Sequence, residues 1–362
     1  MAISWGKPGI ANSFEYWAVD PQHPDTDEGE RLDGMADGGS ITEAYRGDYR
    51  VTGTVKVEGG EVPRHRAVRI VHTAEQGGEV FTEVLATLLP EPMDCEFARG
   101  GSSGSVGLES AMAALDGDRR SNDRGMAAGT NIASMFQTIV QNSGQVPFVM
   151  PDVDTTRTLS SSHVWEFGDS VLSECHTLAN ACGCHIDVDE RGRVVMRVYT
   201  EPARIAPSFG IDSDCLVGID IRQPDIVNRV IATHTEGSGD EERVWYASAR
   251  ADVSHKWSFE GIGRWYTEEV QASSISKDTD TAQIQSILDS LVKSTLAERL
   301  AEGRTFSVEM PYRPGIRPGL VGSLQYDDGG GETLTVPKVF CSEREIELDG
   351  AMTMKLTLEE IV

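Results

Sequence analysis

Residues 170–198, SVLSECHTLANACGCHIDVDERGRVVMRV, decide the fold class. Val171, Leu172, Cys175, Leu178, Ala179 and Cys182 recur at the spacing of one helix face, which predicts a helix from about Asp169 to Cys182. Gly183 stands where a left-handed residue ends such a helix. The period then changes to two. His185 to Val188 and Arg193 to Val198 predict the strands of a hairpin, joined across Asp189-Glu190-Arg191-Gly192. A helix feeding an antiparallel hairpin, in a chain where strands dominate, belongs to the α+β class.

Upstream, Ile132, Met135, Phe136, Ile139 and Val140 mark a second helix, with Thr130 or Asn131 as its cap and Gly144 as its stop. Before it, residues 49–57, 66–71 and 80–89 read as strands of a small antiparallel barrel or sandwich. Gln76-Gly77-Gly78-Glu79 is a hairpin signal, and Pro90 and Pro92 break the ladder. Residues 99–107, RGGSSGSVG, are either a flexible linker or the turn of a hairpin running into Val106 to Leu115, and Asp116 to Arg120 follows as a polar exposed segment. Residues 1–48 read as irregular. Asp20, Asp25, Asp27, Glu28, Glu30, Asp33 and Asp37 face a lone Arg31, which predicts an extended arm or long loop pinned by Ile10, Phe14, Tyr16 and Trp17, or else disorder.

Downstream, Pro202 to Ser208 marks a boundary. Strands are expected at 216–221, 228–233 and 243–247. A long helix is expected over 279–302, with Ile284, Ile287, Leu288, Leu291, Val292, Leu296 and Leu300 on one side. Strands return at 305–310, 320–326, 334–340 and 352–358, two of them joined by Asp327-Asp328-Gly329-Gly330-Gly331.

The composition narrows the function. The chain has 362 residues and carries 32 Lys and Arg against 58 Asp and Glu, a formal charge of -26. That balance argues against binding nucleic acid by phosphate neutralisation and favours solubility and self-repulsion. No apolar run is long enough to cross a bilayer. The opening MAISWGKPGI lacks the pattern of a secretion signal, so synthesis in a cytoplasm and reduced thiols are expected.

Each candidate for chemistry has a plainer structural explanation. Cys175, His176, Cys182, Cys184 and His185 offer zinc-type ligands, but their order is not a pair of metal-binding arms, and Cys175 and Cys182 fit the apolar helix face. Asp187, Asp189 and Gly192 resemble the start of a calcium loop, but Val198 stands where the chelating Glu belongs. Residues 101–107 lack the strained elbow of a serine nucleophile, and the eight histidines are scattered. No phosphate loop occurs, and none of the 58 acids is singled out as a hydrolytic pair. No catalytic residue, metal site or cofactor is therefore expected. Trp245, Tyr246, Trp257, Trp265 and Tyr266, with Phe259, crowd one region as either interface anchors or core.

Several stretches together resemble one family. Asn228-Arg229-Val230-Ile231-Ala232-Thr233 is similar to the strand that opens the second β-domain of bacteriophage tail baseplate-hub (tail-tip) proteins, of the minor tail protein type found in phages of Actinobacteria. Ile262-Gly263-Arg264-Trp265, the helix 282–302, Phe306 to Pro311 and Arg317-Pro318-Gly319-Leu320-Val321 follow in the family's order. Ala128 to Ile132 and Ser170 to Val198 resemble its upstream helix entry and helix-plus-hairpin. The likeness covers residues 50–360; the acidic arm and the loop around 236–260 depart from it.

The resemblance implies two β-barrel-like domains with an intervening α/β domain. The expected partition is an acidic arm at 1–48, a first barrel-like domain at 49–115, the α/β domain at 116–205, and a second barrel-like domain at 206–362. It further implies a structural virion protein at the tail tip: a homotrimer at the distal end of the tail tube, adjoining the distal tail or tail-tube protein and the tape-measure protein. Such a hub anchors tail fibre or spike proteins and lets DNA pass without specific binding. The rival readings are a tail-associated peptidoglycan hydrolase and a carbohydrate-binding adhesin.

Overall fold

The computed structural model describes residues 3–5, 8–47, 49–59, 62–91, 94–98, 101–142, 146–198, 208–210, 218–236, 243–272, 280–327 and 332–361. The chain divides into two compact units, one of Met1–Ile219 with Ser307–Leu358 and one of Asp220–Phe306 with Glu359–Val362.

The first unit opens with β1 (Ala11–Val19), β2 (Glu30–Arg31), β3 (Met35–Ala44) and β4 (Val51–Glu58). These are followed by β5 (Ala67–Gln76), β6 (Glu79–Pro90), β7 (Asp94–Ala98) and β8 (Gly101–Glu109). Within the expected arm over 1–48, residues 11–19, 30–31 and 35–44 are therefore strand. Tyr16, Ala18 and Val19 of β1 are buried, and β1 pairs along its whole length with β5. Their burial outweighs the acidic composition around them, because the carboxylates occupy the outward positions and the turns. Of the Gly/Ser-rich stretch 99–107, residues 99 and 100 lie outside the described residues, and 101–107 belong to β8, which pairs antiparallel with β7 and, from Ser103 on, with β4. The β5–β6 turn does follow its sequence signal: Gly77 and Gly78 have φ of 59° and 88°, the double left-handed geometry that suits a two-residue hairpin.

A helical layer comes next: α1 (Ala111–Gly117), β9 (Arg124–Met126), α2 (Ile132–Asn142), β10 (Phe148–Val149), β11 (His163–Trp165), α3 (Val171–Ala181), β12 (Cys184–Val188) and β13 (Val194–Val198). Ser110 caps α1, and the Asn131 side chain accepts from the Ser134 N–H at the head of α2. The expected stop at Gly144 lies outside the described residues, as do Pro92 and most of the boundary 202–208. Met112, Phe136, Ile139, Leu178, Ile186 and Met196 form one core between the helices and the hairpin. Each such side chain is worth roughly 1.5–3 kcal/mol of transfer free energy.

β14 (Ser208–Gly210) pairs with a later strand, and β15 (Gly218–Arg222) leads out of the first unit. The second unit holds β16 (Arg229–Glu236), β17 (Arg243–Arg250), α4 (Phe259–Ile262), β18 (Thr267–Gln271) and α5 (Thr281–Ala301). Its sheet has the order β17-β16-β18. Ile284, Leu288, Val292 and Leu296 of α5 pack on Val230, Ala232 and Ala247. Ile287, expected in that stripe, is 45% exposed; a repeat of four residues carries the buried line, and Ile287 falls beside it.

Two ion pairs fasten this unit: Arg299 of α5 to Glu268 of β18 at 2.7 Å, and Arg304 to Glu360 at 2.9 Å. The guanidinium hydrogen bonds hold both carboxyls below the usual range. A lowered folded-state value means that the stabilisation is present above the unfolded carboxylate pKa and is lost as pH falls through the folded one. The thermal midpoint is thus expected to fall on acidification below the ordinary Glu range. Glu268→Gln with Glu360→Gln should flatten that fall, as read by circular dichroism.

β19 (Glu302–Pro311), β20 (Val321–Asp327), β21 (Thr333–Glu347) and β22 (Thr353–Ile361) complete the chain. β21 pairs antiparallel with β3, and the main sheet runs β19-β22-β21-β3-β4-β8-β6-β5-β1-β2. Among the described residues this is an open path that closes no barrel, where two β-barrel-like domains were expected. The reason is physical. Alternation tells which residues face inward, but it does not tell which strands hydrogen-bond across 300 residues. The β3–β4 contact needs Gly39, where a Cβ would lie 2.2 Å from the Thr54 carbonyl oxygen.

Candidate functional site

The helix-plus-hairpin supplies the first candidate residues. Cys175 is wholly buried on α3, and burial pushes its thiol up to about 12. The Cys182 thiol donates to the Ala179 carbonyl at 3.2 Å, and Cys184 is buried at the start of β12. These thiols are core groups, turned into the protein.

The acidic turn is equally committed. One Asp189 carboxylate oxygen accepts from the N–H groups of Arg191 and Arg193, at 3.1 and 2.9 Å, and the other accepts from the Arg193 guanidinium at 2.7 Å. Gly192, at φ 77°, lies so close to Thr87 that a Cβ would come 2.9 Å from its carbonyl oxygen. Arg193 also reaches Asp25 at 2.8 Å, tying the turn to the N-terminal segment.

Beside this turn lies a cleft of about 650 Å³ between β3, β6, the hairpin and the loop 315–320. It is the place where catalysis would be sought. Its carboxylates are engaged: Glu43 by Arg344, Asp189 by Arg193, and Glu190 by Arg317. Burial alone would raise the Glu190 carboxyl, but its own backbone N–H and Arg317 outweigh that effect and hold it below the ordinary range. His185 on the same wall is pushed below its ordinary value by burial. Three of the four lining acids are spent on ion pairs, and the fourth, Asp187, accepts from the Val188 N–H at 2.8 Å, which suits a braced joint better than a hydrolytic pair aimed at a bond.

The aromatic candidates all fall in the second unit, and the structure divides them. Trp245 packs inward against the core beneath α5, whereas its neighbour Tyr246 points outward and is 72% exposed. Trp265, 38% exposed, stacks on Phe259 at 4.9 Å with Arg229 over its ring at 5.7 Å. Arg264 lies over Tyr266 at 4.4 Å, and Lys256 over Trp257 at 5.0 Å. Asn228 organises this group. It is fully buried; its amide donates to the Arg264 carbonyl at 2.9 Å, and its side-chain oxygen accepts from the Tyr266 N–H at 2.8 Å. The sequence marks Asn228 only as part of a motif. Its role as a plug becomes visible once the loop it holds is placed.

The whole arrangement aligns with solved structures of known origin. A tail protein from Neisseria meningitidis MC58 superposes with TM-score 0.60 at 14% identity, covering 97% of each chain. The fold is that of phage tail proteins. The 43 kDa tail protein of prophage MuSo2 from Shewanella oneidensis gives 0.61 at 10% identity, over 96% of this chain and 98% of that one. A Francisella PdpA–VgrG complex gives 0.53 at 8% identity over 98% of this chain, which spans about half (53%) of the matched chain. No protein-family model and no curated protein matches the sequence.

Proposed function

We propose that this chain is a structural subunit of a phage tail, a hub at the distal end of the tail tube, and not an enzyme. Three copies surround a bore, join the tube to the tip and anchor the host-recognition proteins. The observation that carries the reading is the end-to-end likeness to two tail proteins, one of them from a prophage. The braced cleft supports it, since its acids hold strands and hairpin together. The charge of -26 supports it too, because acidic walls repel phosphates and let DNA slide.

Negative-stain microscopy of the purified chain, alone and mixed with its neighbouring tail proteins, tests the reading. The expected result is a ring with threefold symmetry and a central opening. Particles that stay monomeric in both samples would overturn it. So would cell-wall digestion by the purified chain that a single His or carboxylate substitution abolishes.

A further inference from the structure

In the second unit α5 covers one face of the sheet. Val230, Ala232, Trp245, Ala247 and Ala249 point to the helix, so Arg229, Ile231, Thr233, Val244, Ser248 and Arg250 point the other way. Among the described residues, no element of this unit covers that second face. Tyr246 sits there opposite Thr233, and Val244 beside it is 51% exposed. At one end the face runs into the group built on Asn228, where Trp265, Tyr266 and Trp257 each carry a cation.

Charge sets this surface apart. On this face and the aromatic group at its end there are four cations, Arg229, Arg250, Lys256 and Arg264, against three carboxylates, Asp252, Glu260 and Glu269, the last on β18 opposite Ile231. Asp252 is itself turned onto the backbone N–H and hydroxyl of Ser254, at 2.9 and 2.6 Å. In a chain of net charge -26 this is a local reversal of sign. Copies of so acidic a chain repel one another, and they can associate only where cations and apolar area gather. Exposed Trp and Tyr interleaved with Arg is also the composition of interface hot spots. The same chain carries a complementary surface. β2 ends the main sheet, and Glu28, Glu30, Asp33 and Asp37 around it are exposed.

We propose that the open face of β16–β17–β18, with its cation-bearing aromatics, seats on the acidic sheet edge around Glu28 to Asp37 of a neighbouring copy. The contact is head-to-tail, two different surfaces meeting, which is the kind that closes a ring. It rests on the hub reading and specifies which surfaces build the ring.

Sedimentation velocity of the full chain over a concentration series tests it by charge exchange. Arg250→Glu with Arg264→Glu is expected to weaken self-association about tenfold or more, and so is Glu30→Lys with Asp33→Lys on its own. Mixed together, the two variants are expected to associate again, because each supplies the complement of the other's changed surface. Circular dichroism and melting should match the parent, since all four side chains are exposed. Parent-like association of the Arg variant overturns the proposal, and failure of the mixture to recover overturns the pairing with the acidic edge. If rings persist in micrographs of the Arg variant, the hub stands and this interface falls. If the parent chain forms no ring alone or with its neighbours, the hub reading itself falls.

Discussion

Replacing Glu174 with alanine is expected to destabilise the protein by about 3–5 kcal/mol. Glu174 lies in the first turn of α3 with no solvent exposure, and both its oxygens are taken by the Arg120 guanidinium, one of them at 2.6 Å. Arg120 is itself anchored: its N–H donates to the Asp169 carbonyl at 3.0 Å, and its carbonyl accepts from the Gly168 N–H at 2.9 Å. Removing the carboxylate leaves an unpaired guanidinium on a side chain that is only 20% exposed, rooted in a backbone held on both sides. The cost is the unpaired buried charge, much more than the attraction between the partners. Arg120→Met with Glu174→Leu should therefore recover most of the loss, because a packed apolar pair needs no counter-charge. Guanidinium unfolding midpoints of the parent, the single variant and the pair check this. A single-variant loss near the roughly 1 kcal/mol of a surface pair would show that water reaches Glu174.

This pair sits within the best-read part of the molecule. α3 and its hairpin obey local rules: an apolar stripe, a serine cap, a left-handed Gly183 at φ 71° and a change of period. Such signals survive folding because the residues that make them also touch each other. β1 and β3 were hidden for the opposite reason. The sequence of β3, MADGGSITEA, mixes two acids, two glycines and a bulge between Ala36 and Gly39, so its alternation is broken where its pairing is tightest. The aromatics show a subtler limit. Their types announced an interface or a core without choosing between them. Register decides: Trp245 and Tyr246 are adjacent on one strand, and adjacent strand residues point to opposite faces. One supports the sheet from the helix side and the other is left in the open. The functional reading therefore depends on a detail that residue identity alone does not carry.

The joint between β3 and β21 makes the same point in energetic terms, and Arg344→Met is expected to cost about 3–5 kcal/mol there. Arg344 is 1% exposed and stands directly opposite Glu43 in the β21–β3 register, with 2.5 Å between guanidinium and carboxylate. Its second nitrogen donates to the Ile316 carbonyl at 2.6 Å, fixing the loop that borders the cleft. The substitution strands a carboxylate of 12% side-chain exposure on β3 and leaves that carbonyl without its donor. Adding Glu43→Leu to Arg344→Met removes the stranded charge and is expected to restore a large part of the stability, while the loop stays without its donor. The order parent, then double variant, then single variant in unfolding midpoint identifies the cross-strand charge as the clamp. A double variant no better than the single one would place the stabilisation in the loop hydrogen bond instead. Because the two residues are 301 positions apart, the clamp joins the last strands of the chain to the first. Loss of ring assembly by the single variant, with recovery in the double, would tie this cross-strand joint to assembly of the proposed hub.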